Sequence, residues 1–402
     1  MKKINNDGYS YYLDNNGEIT QQKNIVDKQP LSIIEDIEDV IEIVAGNCDG
    51  KRHIFPPPTE FLNDIFQNDD FDDRIISRYK FPYGVWFRGQ PRICYRLIPS
   101  LFRNSMDINR ICHKEDCKID KIYSSYYEET NMFNHFVLRM PEYQRVQSSL
   151  STPLDWLCLM QHYELPTRLL DWTESILIAL YFAVIYDDPD CDGAIWALNP
   201  ARINEVSRFS KPKRLICEPH STDVILRSTL AISRTCEQLK SNLIRYNLFD
   251  TIKDAVVDKN VIEWIEKGSN ANLSDEDLLK IKNKFSSPIG VFPNRLNYRM
   301  SSQLSVVVLH GGKLYDNELF TFIDKKITFN SPKSITELNI ESEKKFLKCF
   351  IVDRNNKTKI REQLKRVGIH AALLFSELEY HAEFIKKHWR IPLKGNYEEL
   401  NK

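Results

Sequence analysis

Three features are missing from this sequence, and each absence excludes a class of protein. No run of about 18 apolar residues occurs, so no membrane-spanning helix is predicted. The 55 Lys and Arg residues are balanced by 56 Asp and Glu residues, so the net charge of -1 gives the whole molecule no attraction to nucleic acid or anionic lipid. The nine cysteines contain no C-x-x-C motif, which argues against a disulfide framework and a zinc ribbon.

Metal binding and export are not expected either. Cys112, His113 and Cys117 are ligand-type residues, but no second half with matching spacing follows, so no metal is predicted. The stretch Met1–Asp7 lacks the apolar run of a signal peptide. With the cysteine pattern, this predicts a cytoplasmic protein in a reducing compartment, without membrane contact.

The apolar content is sufficient for a large core. The chain has 402 residues, of which 42% are hydrophobic and 11% aromatic. These values exclude wholesale disorder and suit either one large domain with insertions or two domains.

The stretch Gln161–Ala183 (QHYELPTRLLDWTESILIALYFA) is the part around which the rest of the chain is organised. Thr167–Leu170 predicts a buried strand or extended connector. A buried apolar helix should follow, with Asp171 as its N-cap and Glu174 completing a capping box. Polar residues at such a strand-to-helix junction often carry function, because the scaffold is rigid and the junction is exposed.

Hydrophobic periodicity predicts the other elements. Helices are expected at Leu31–Ala45, Thr59–Phe66, Asp116–Met140, Thr152–Tyr163, Lys357–Val367 and Ser376–Trp389. Strands are expected at Val85–Gln90, Gly193–Leu198, Ser302–His310, Phe320–Phe329 and Lys345–Val352, with a small hairpin over residues 9–22.

These elements predict an α+β fold with a mixed, largely antiparallel sheet flanked by helices. The composition changes at residues 201–285, which are more charged and helix-rich and suggest an insertion. We therefore predict four segments: an N-terminal helical appendage (1–75), the first part of the main domain (76–200), a helical insertion (201–285) and the second part of the main domain (286–392).

Three blocks of sequence resemble the FRG domain family, named for its Phe-Arg-Gly motif. The blocks are Trp86–Gln90 with Leu97–Arg103, then Gln161–Thr173, then Gln303 with Gly368–Ile369 and Leu374–Leu378. Glu164 and Ser305 stand where the family usually has glycine. The resemblance implies a bacterial protein of the defence or toxin type, but it supplies no reaction.

A strand carrying aromatic-Arg-Gly is also similar to the first strand of Arg-containing ADP-ribosyltransferases, where the arginine holds NAD. Leu165–Ala183 resembles the hydroxyl-bearing strand and the following helix of those enzymes, with Thr167 or Thr173 in the hydroxyl role. This similarity implies an ADP-ribosyltransferase-like fold. A later strand should supply a carboxylate, but this chain has Gln303 there; Glu377, Glu379 or Asp171 could replace it.

The hypothesis is an NAD-using transferase or NAD hydrolase with a protein or nucleic-acid acceptor. The Arg88 guanidinium offers a planar fork for phosphate, and Gly89 would let the backbone approach a ligand closely. The candidate catalytic residues are Arg88, His162, Arg168, Asp171 and Gln303. The candidate cofactor-binding residues are Phe87, Gly89, Gln90, Tyr163, Thr167, Trp172, Thr173, Ser175 and Arg299.

Other interpretations stay open at this point. Arg88 could form a buried structural pair with Asp171, His162 could cap helix carbonyls, and Trp172 could be core. The alternative function is a non-enzymatic module that binds nucleotides or nucleic acid through its arginines and aromatic residues. A metal-dependent nuclease is disfavoured, since the matched blocks lack the usual carboxylate clusters. The arginines of the binding alternative are Arg88, Arg92, Arg96, Arg103 and Arg168.

Overall fold

The structure is a computed structural model in which part of the chain is described. The described residues are 10–13, 19–22, 31–45, 85–103, 129–139, 150, 152–186, 190–209, 216–233, 236–245, 247–255, 258–267, 271–312, 333–343, 345–375 and 377–388. The predicted helix Thr59–Phe66, residues 116–128 of the predicted helix Asp116–Met140 and the predicted strands at Phe320–Phe329 lie outside these ranges, as do Cys112, His113 and Cys117.

A seven-stranded sheet forms the centre of the molecule. Its strand order is β3-β9-β6-β4-β5-β8-β7, and a separate hairpin pairs β1 with β2. Only the β3–β9 pair is parallel among these described strands; all other neighbours are antiparallel. The fold is therefore α+β with a mixed, largely antiparallel sheet, as predicted. The strands are β1 Ser10–Leu13, β2 Ile19–Gln22, β3 Ser32–Ile34, β4 Trp86–Gln90, β5 Leu169–Thr173, β6 Gly193–Leu198, β7 Ile289–Val291, β8 Ser305–Leu309 and β9 Leu347–Val352.

Helices account for most of the remaining described chain. They are α1 Ile37–Ala45, α2 Glu129–Arg139, α3 Pro153–His162, α4 Ile176–Ala183, α5 Pro200–Ser207, α6 Thr222–Ala231, α7 Cys236–Arg245, α8 Phe249–Ala255, α9 Lys259–Lys267, α10 Asp275–Ser286, α11 Tyr298–Ser302, α12 Ile335–Glu341, α13 Lys357–Arg366, α14 Ala371–Leu374 and α15 Leu378–His388. None of the described helices is both long and apolar enough to cross a bilayer.

The two faces of the sheet are covered differently. One face packs against the hairpin, α5 and α12 in a single apolar cluster that includes Trp86, Trp172 and Trp196. The other face carries two helix groups. One group, α1, α4 and α13, lies on the β4–β6–β9 side, and the second, α2, α3 and α6, lies on the β5–β8–β7 side. The helical layer is thus divided above the junction of β4 and β5.

The predicted single helix Leu31–Ala45 is wrong in its first part. Ser32–Ile34 is a strand that pairs in parallel with Phe350–Val352 of β9, and the helix begins only at Ile37. Ile33 and Ile34 are completely buried, so sheet pairing overrides the helical spacing of the apolar residues. The described part of the N-terminal stretch therefore contributes a strand to the main sheet.

The predicted start of α4 is also corrected. Asp171 pairs with Val307 inside the β5–β8 ladder and cannot cap a helix. The N-cap is Ser175, whose hydroxyl accepts from the Ile178 amide, and Glu174 pairs with Arg295 instead of completing a capping box. The helix predicted at Thr152–Tyr163 is confirmed, with a capping box between Thr152 and Asp155.

Residues 201–285 are helical wherever they are described as regular structure, apart from one isolated bridge at Cys217. Helices α6 to α10 share an apolar cluster that includes Leu239, Trp264 and Phe285. Arg227, completely buried, holds the two ends of this region together by donating to the carbonyls of Ser207, Lys284 and Ser287. The boundaries of the four predicted segments stay predictions.

Candidate functional site

Arg88 lies where the central sheet splits. Strands β4 and β5 share one register pair, Phe87 with Thr173, whereas β4 and β6 pair over five positions. Arg88 Nη1 donates to the backbone carbonyl of Asp171 at 2.5 Å, across the gap between the strands. Its Nε is buried without a hydrogen-bond partner in the described part of the chain. A buried, unsatisfied donor is costly, so this N–H group is suited to donate to a ligand.

Asp171 is exposed at the same split. Its neighbours in β5, Leu170 and Trp172, point to the opposite face of the sheet, so the Asp171 side chain faces the gap in the helical layer. The carboxylate accepts from Gln161 Nε2 at 2.5 Å, and Thr167 donates to the other end of the same amide. Gln161 thereby fixes the carboxylate in place while leaving it open to solvent.

Burial shapes the electrostatics of this region. The pKa of Arg88 falls to about 10, mainly through burial, although the nearby Asp171 charge opposes the shift. Burial also lowers the pKa of Arg103, whose charge is close enough to act on Arg88. Two partly desolvated guanidinium groups near each other repel, and a bound anion would relieve that repulsion.

A second polar cluster adjoins the first through His162, the neighbour of Gln161. Burial lowers the pKa of His162, the Arg299 charge lowers it further and the Glu377 charge opposes this. Arg299 Nη1 lies 3.6 Å from Glu377 Oε1, and its guanidinium carbon lies 4.8 Å from the centre of the Phe375 ring. Glu377 Oε2 is buried and has no hydrogen-bond partner among the described residues.

Gln303 connects the C-terminal segment to the sheet. Its Nε2 and the hydroxyl of Ser302 both donate to the Leu374 carbonyl, at 3.0 and 3.2 Å. Its own backbone carbonyl accepts from Thr173 Oγ1 at 2.7 Å. The Phe-Arg-Gly strand, the 161–175 segment and the 299–303 segment are therefore joined by direct contacts. Because its amide is committed to Leu374, Gln303 holds the chain that leads to Glu377 in position.

Arg168 requires a correction as a candidate catalytic residue. It is completely buried, and its Nε and Nη2 donate to the two carboxylate oxygens of Glu129 at 2.6 and 2.5 Å. Its Nη1 donates to the carbonyls of His310 and Gly312. With its donors occupied inside the core, Arg168 cannot reach a ligand at the split, and it cannot belong to a phosphate-binding face.

Four candidate cofactor-binding residues are occupied by packing. A Cβ at Gly89 would lie 1.7 Å from the Ala179 carbonyl oxygen, so this glycine allows α4 to approach the strand rather than a ligand. Phe87 packs against the same helix. Gln90 is buried and accepts from Trp196 Nε1 at 2.9 Å, and Trp172 is buried in the opposite apolar cluster. None of these side chains faces the split.

The hydroxyl candidates make local contacts. Thr167 is completely buried and donates to Gln161, Thr173 donates to Gln303, and Ser175 caps α4. Tyr163 is 57% exposed and lies edge-on to His162. Of these four residues, Tyr163 is the one whose side chain is largely exposed beside the second cluster.

Sequence reasoning missed Gln161 and Glu129. Gln161 left no distinguishing signal, because a polar residue near a helix end is ordinary. Glu129 did leave a signal: in the predicted amphipathic helix it falls at helical spacing between Tyr126 and Phe133, on the apolar face. A charge in that position is typical of a buried ion pair.

Comparison with protein families gives one result. Residues 84–191 match the family model described as the FRG domain. Residues 84–191 are therefore similar to the FRG domain. The matched range runs from β4 through α4 and so includes Arg88, Gln161, His162 and Asp171. Comparisons with curated proteins and with solved structures gave no match.

Proposed function

We propose that the FRG domain protein binds NAD at the split between β4 and β5 and cleaves its bond to nicotinamide, as an ADP-ribosyltransferase or an NAD hydrolase. The observation that carries the proposal is the buried Nε of Arg88, which has no partner in the described chain and lies near the charge of a second arginine, Arg103. A pyrophosphate supplies two negative charges and several acceptor oxygens, which match two guanidinium groups better than a single carboxylate does.

The cleavage step calls for a carboxylate near the sugar carbon. As the bond between the ribose carbon and the nicotinamide nitrogen breaks, its electron pair leaves with nicotinamide, and positive charge develops on the ribose. Glu377 is the candidate acid, since one of its oxygens is buried without a partner in the described chain and the other lies near Arg299. Asp171, already held by Gln161, is the second candidate.

A proton acceptor completes the scheme. Water or an acceptor group on a protein or nucleic acid attacks the ribose carbon and must lose a proton. The lowered pKa of His162 keeps its imidazole neutral at pH 7, the form that accepts a proton. His162 is only partly buried, so an incoming nucleophile has access to it.

The binding half of the proposal is tested by calorimetric titration of NAD into the purified chain. Arg88→Ala is expected to weaken binding by roughly 10- to 100-fold, since a charge-assisted hydrogen bond contributes about 1.5–3 kcal/mol. Arg366→Ala, an exposed arginine in the last turn of α13, is the matched control and should bind like the wild type. Equal affinity of wild type and Arg88→Ala would contradict the assigned site.

The chemical half is tested by nicotinamide release, with and without cell extract. Glu377→Gln should lower the rate by about 100-fold or more while NAD affinity is kept. Glu379→Gln, two residues along and exposed, is the matched control. If Asp171→Asn alone abolishes release, Asp171 is the carboxylate that stabilises the positive charge on the ribose. If neither release nor NAD binding occurs but RNA or DNA is retained with a steep salt dependence, the nucleic-acid alternative replaces the proposal.

The FRG resemblance points to a bacterial defence or toxin setting for this activity. Expression of the chain in bacterial cells should then lower cellular NAD and arrest growth, and the Arg88→Ala variant, expressed to the same level, should do neither. Growth arrest that is equal for both proteins would show that toxicity does not come from this site.

A further inference from the structure

Two of the cysteines lie where the β4–β6 ladder continues into its flanking loops. Among the five cysteines whose side chains are described, Cys158, Cys217 and Cys349 are buried, whereas Cys94 and Cys191 are partly exposed. Cys94 follows β4 and Cys191 precedes β6. They are the two of these five that solvent and small reagents can reach.

The backbone brings the segments that carry these two cysteines next to each other. β4 and β6 pair antiparallel from Trp86–Leu198 to Gln90–Ala194. Beyond the ladder, the Ile93 amide donates to the Asp192 carbonyl at 2.9 Å. Cys94 follows Ile93 and Cys191 precedes Asp192, so each cysteine is adjacent to a residue of this hydrogen bond. Their thiols are hydrogen-bonded to each other. Opposed or diagonal residues on neighbouring antiparallel segments have Cβ atoms roughly 4.5–8 Å apart, so a small movement brings them to the roughly 3.5–4.5 Å of a disulfide.

The loops around the pair are held firmly. Lys357, only 1% exposed, donates from Nζ to the carbonyls of Pro91 and Cys191, at 2.7 Å each. The Asp192 carboxylate accepts from the Arg354 amide at 2.8 Å and from the Tyr11 hydroxyl. The two loops therefore keep their register without a covalent link, and a bond between the sulfurs needs little backbone movement.

We propose that Cys94 and Cys191 are a modification site: a thiol pair that hydrogen peroxide converts into an intramolecular disulfide. The Cys191 sulfur, as the thiolate, attacks one peroxide oxygen; the O–O bond breaks, and the departing hydroxide takes up a proton as water. Cys191 is then a sulfenic acid. The Cys94 sulfur attacks the Cys191 sulfur, the S–O bond breaks, and a second water leaves with the Cys94 proton. Two thiols lose two electrons and two protons, and one peroxide is reduced to two waters.

The assignment of roles follows from the hydrogen bond between the thiols. That bond, followed by burial, raises the pKa of Cys94 well above its usual range. Cys94 therefore keeps its proton, and Cys191 is the sulfur left to attack the peroxide. The attacking sulfur is Cys191 and the resolving sulfur is Cys94. This inference is independent of NAD chemistry.

The test uses the full chain in its native state. Protein is treated with equimolar hydrogen peroxide, alkylated under denaturing conditions and digested with trypsin, which places the cysteines in peptides 93–96 and 169–202. We expect a linked pair of these peptides, an intact mass lower by about 2 Da, and full recovery of both free peptides after dithiothreitol. Cys158→Ser is the matched control and should still form the link.

Single substitutions separate the steps. Cys94→Ser should leave the sulfenic acid on Cys191, where dimedone traps it. Cys191→Ser should leave Cys94 fully alkylated after peroxide. The proposal is overturned if both thiols of the wild type stay alkylatable, if Cys191 proceeds to sulfinic acid without a link, or if either cysteine links to another chain.

Discussion

Two arginines from neighbouring parts of this fold have opposite environments. Arg168, at the entrance to β5, is completely buried, pairs with both oxygens of Glu129 and donates to two backbone carbonyls. Arg88, in β4, makes one hydrogen bond, to the Asp171 carbonyl, and its Nε is buried with no partner in the described chain. Both belong to motifs that the sequence marks as functional.

The two guanidinium groups differ in how many of their donors are occupied. The Arg168 guanidinium is fully satisfied inside the core, so a ligand could only compete with Glu129 for it. The Arg88 guanidinium is desolvated, lies near the Arg103 charge and keeps a donor without a partner in the described chain, which is the ground for proposing that it binds an anion. Sequence position alone does not distinguish the two, but the number of occupied donors does.

The largest expected effect tests this contrast directly. Arg168→Met leaves the Glu129 carboxylate buried without its partner and should lower the free energy of unfolding by about 3–5 kcal/mol, measured by urea denaturation. Arg88→Met should change it by less than about 1 kcal/mol, because it breaks one hydrogen bond but also removes a buried donor that has no partner in the described chain. The double variant Arg168→Met/Glu129→Met should recover part of the loss. Equal losses for the two arginines would remove the distinction.

A second test concerns the residue next to Arg88. Gly89→Ala should cost about 3 kcal/mol in unfolding free energy, because its Cβ would meet the Ala179 carbonyl oxygen at 1.7 Å and force α4 away from the sheet. Gly368→Ala is the control: the added Cβ meets nothing within 4 Å, so only its positive φ of 85° is strained, at a cost of about 1 kcal/mol. A small effect at Gly89 would mean that the split region is loose enough to admit a ligand against the backbone.

A third test concerns the buried region around Arg168. Burial, with the Arg168 charge next, lowers the pKa of His310 to about 3. Above pH 6.5 the histidine is neutral in both the folded and the unfolded chain. As the pH falls below 6.5, His310 becomes protonated in the unfolded chain but stays neutral in the folded chain. Stability should therefore fall between pH 6.5 and 3, by about 2 kcal/mol at pH 5. Urea denaturation of wild type and His310→Gln at pH 7 and 5 measures this difference, and parallel curves would contradict the buried neutral state.

Much of the sheet could be predicted from sequence, because its strands are short apolar runs bounded by turn residues. Gly193–Leu198 was predicted to the residue, and the strands around Trp86, Val306 and Phe350 were predicted to within a few positions. The errors have a common cause. Ser32–Ile34 fits a helical pattern and Asp171 fits a cap, but strands distant in sequence take both into ladders. Long-range pairing leaves no local signal.

The candidate site was predictable in its segments but not in its side-chain roles. Contacts join the three segments that the sequence singled out, through Thr173, Gln303 and Asp171. Which polar residue faces a cleft depends on strand phase and on neighbours, and the sequence around Arg168 does not show that Glu129 occupies its donors. Glu377 was one of three alternative acids, and its unpartnered oxygen distinguishes it only in three dimensions.

The smallest expected effect concerns Glu164, which stands where the family usually has glycine. It follows the C-cap of α3 with a φ of 62°, while the Leu165 amide donates to the Met160 carbonyl at 3.0 Å, the pattern of a glycine-type helix end. Glu164→Gly should raise the free energy of unfolding by up to about 1 kcal/mol, since it removes left-handed strain. Asn247→Gly, at a φ of 55°, should change little, because asparagine tolerates this conformation.

The Glu164→Gly variant also tests whether the strained backbone at the end of α3 affects only stability or also NAD binding. Glu164 is exposed and lies two residues beyond His162, so relief of its strain should leave NAD affinity unchanged if the turn only ends the helix. If Glu164→Gly stabilises the protein but weakens NAD binding, the strained turn is what holds His162 and Tyr163 at the edge of the cleft. The glutamate at this position would then be a feature of the proposed site, and that site would include the end of α3.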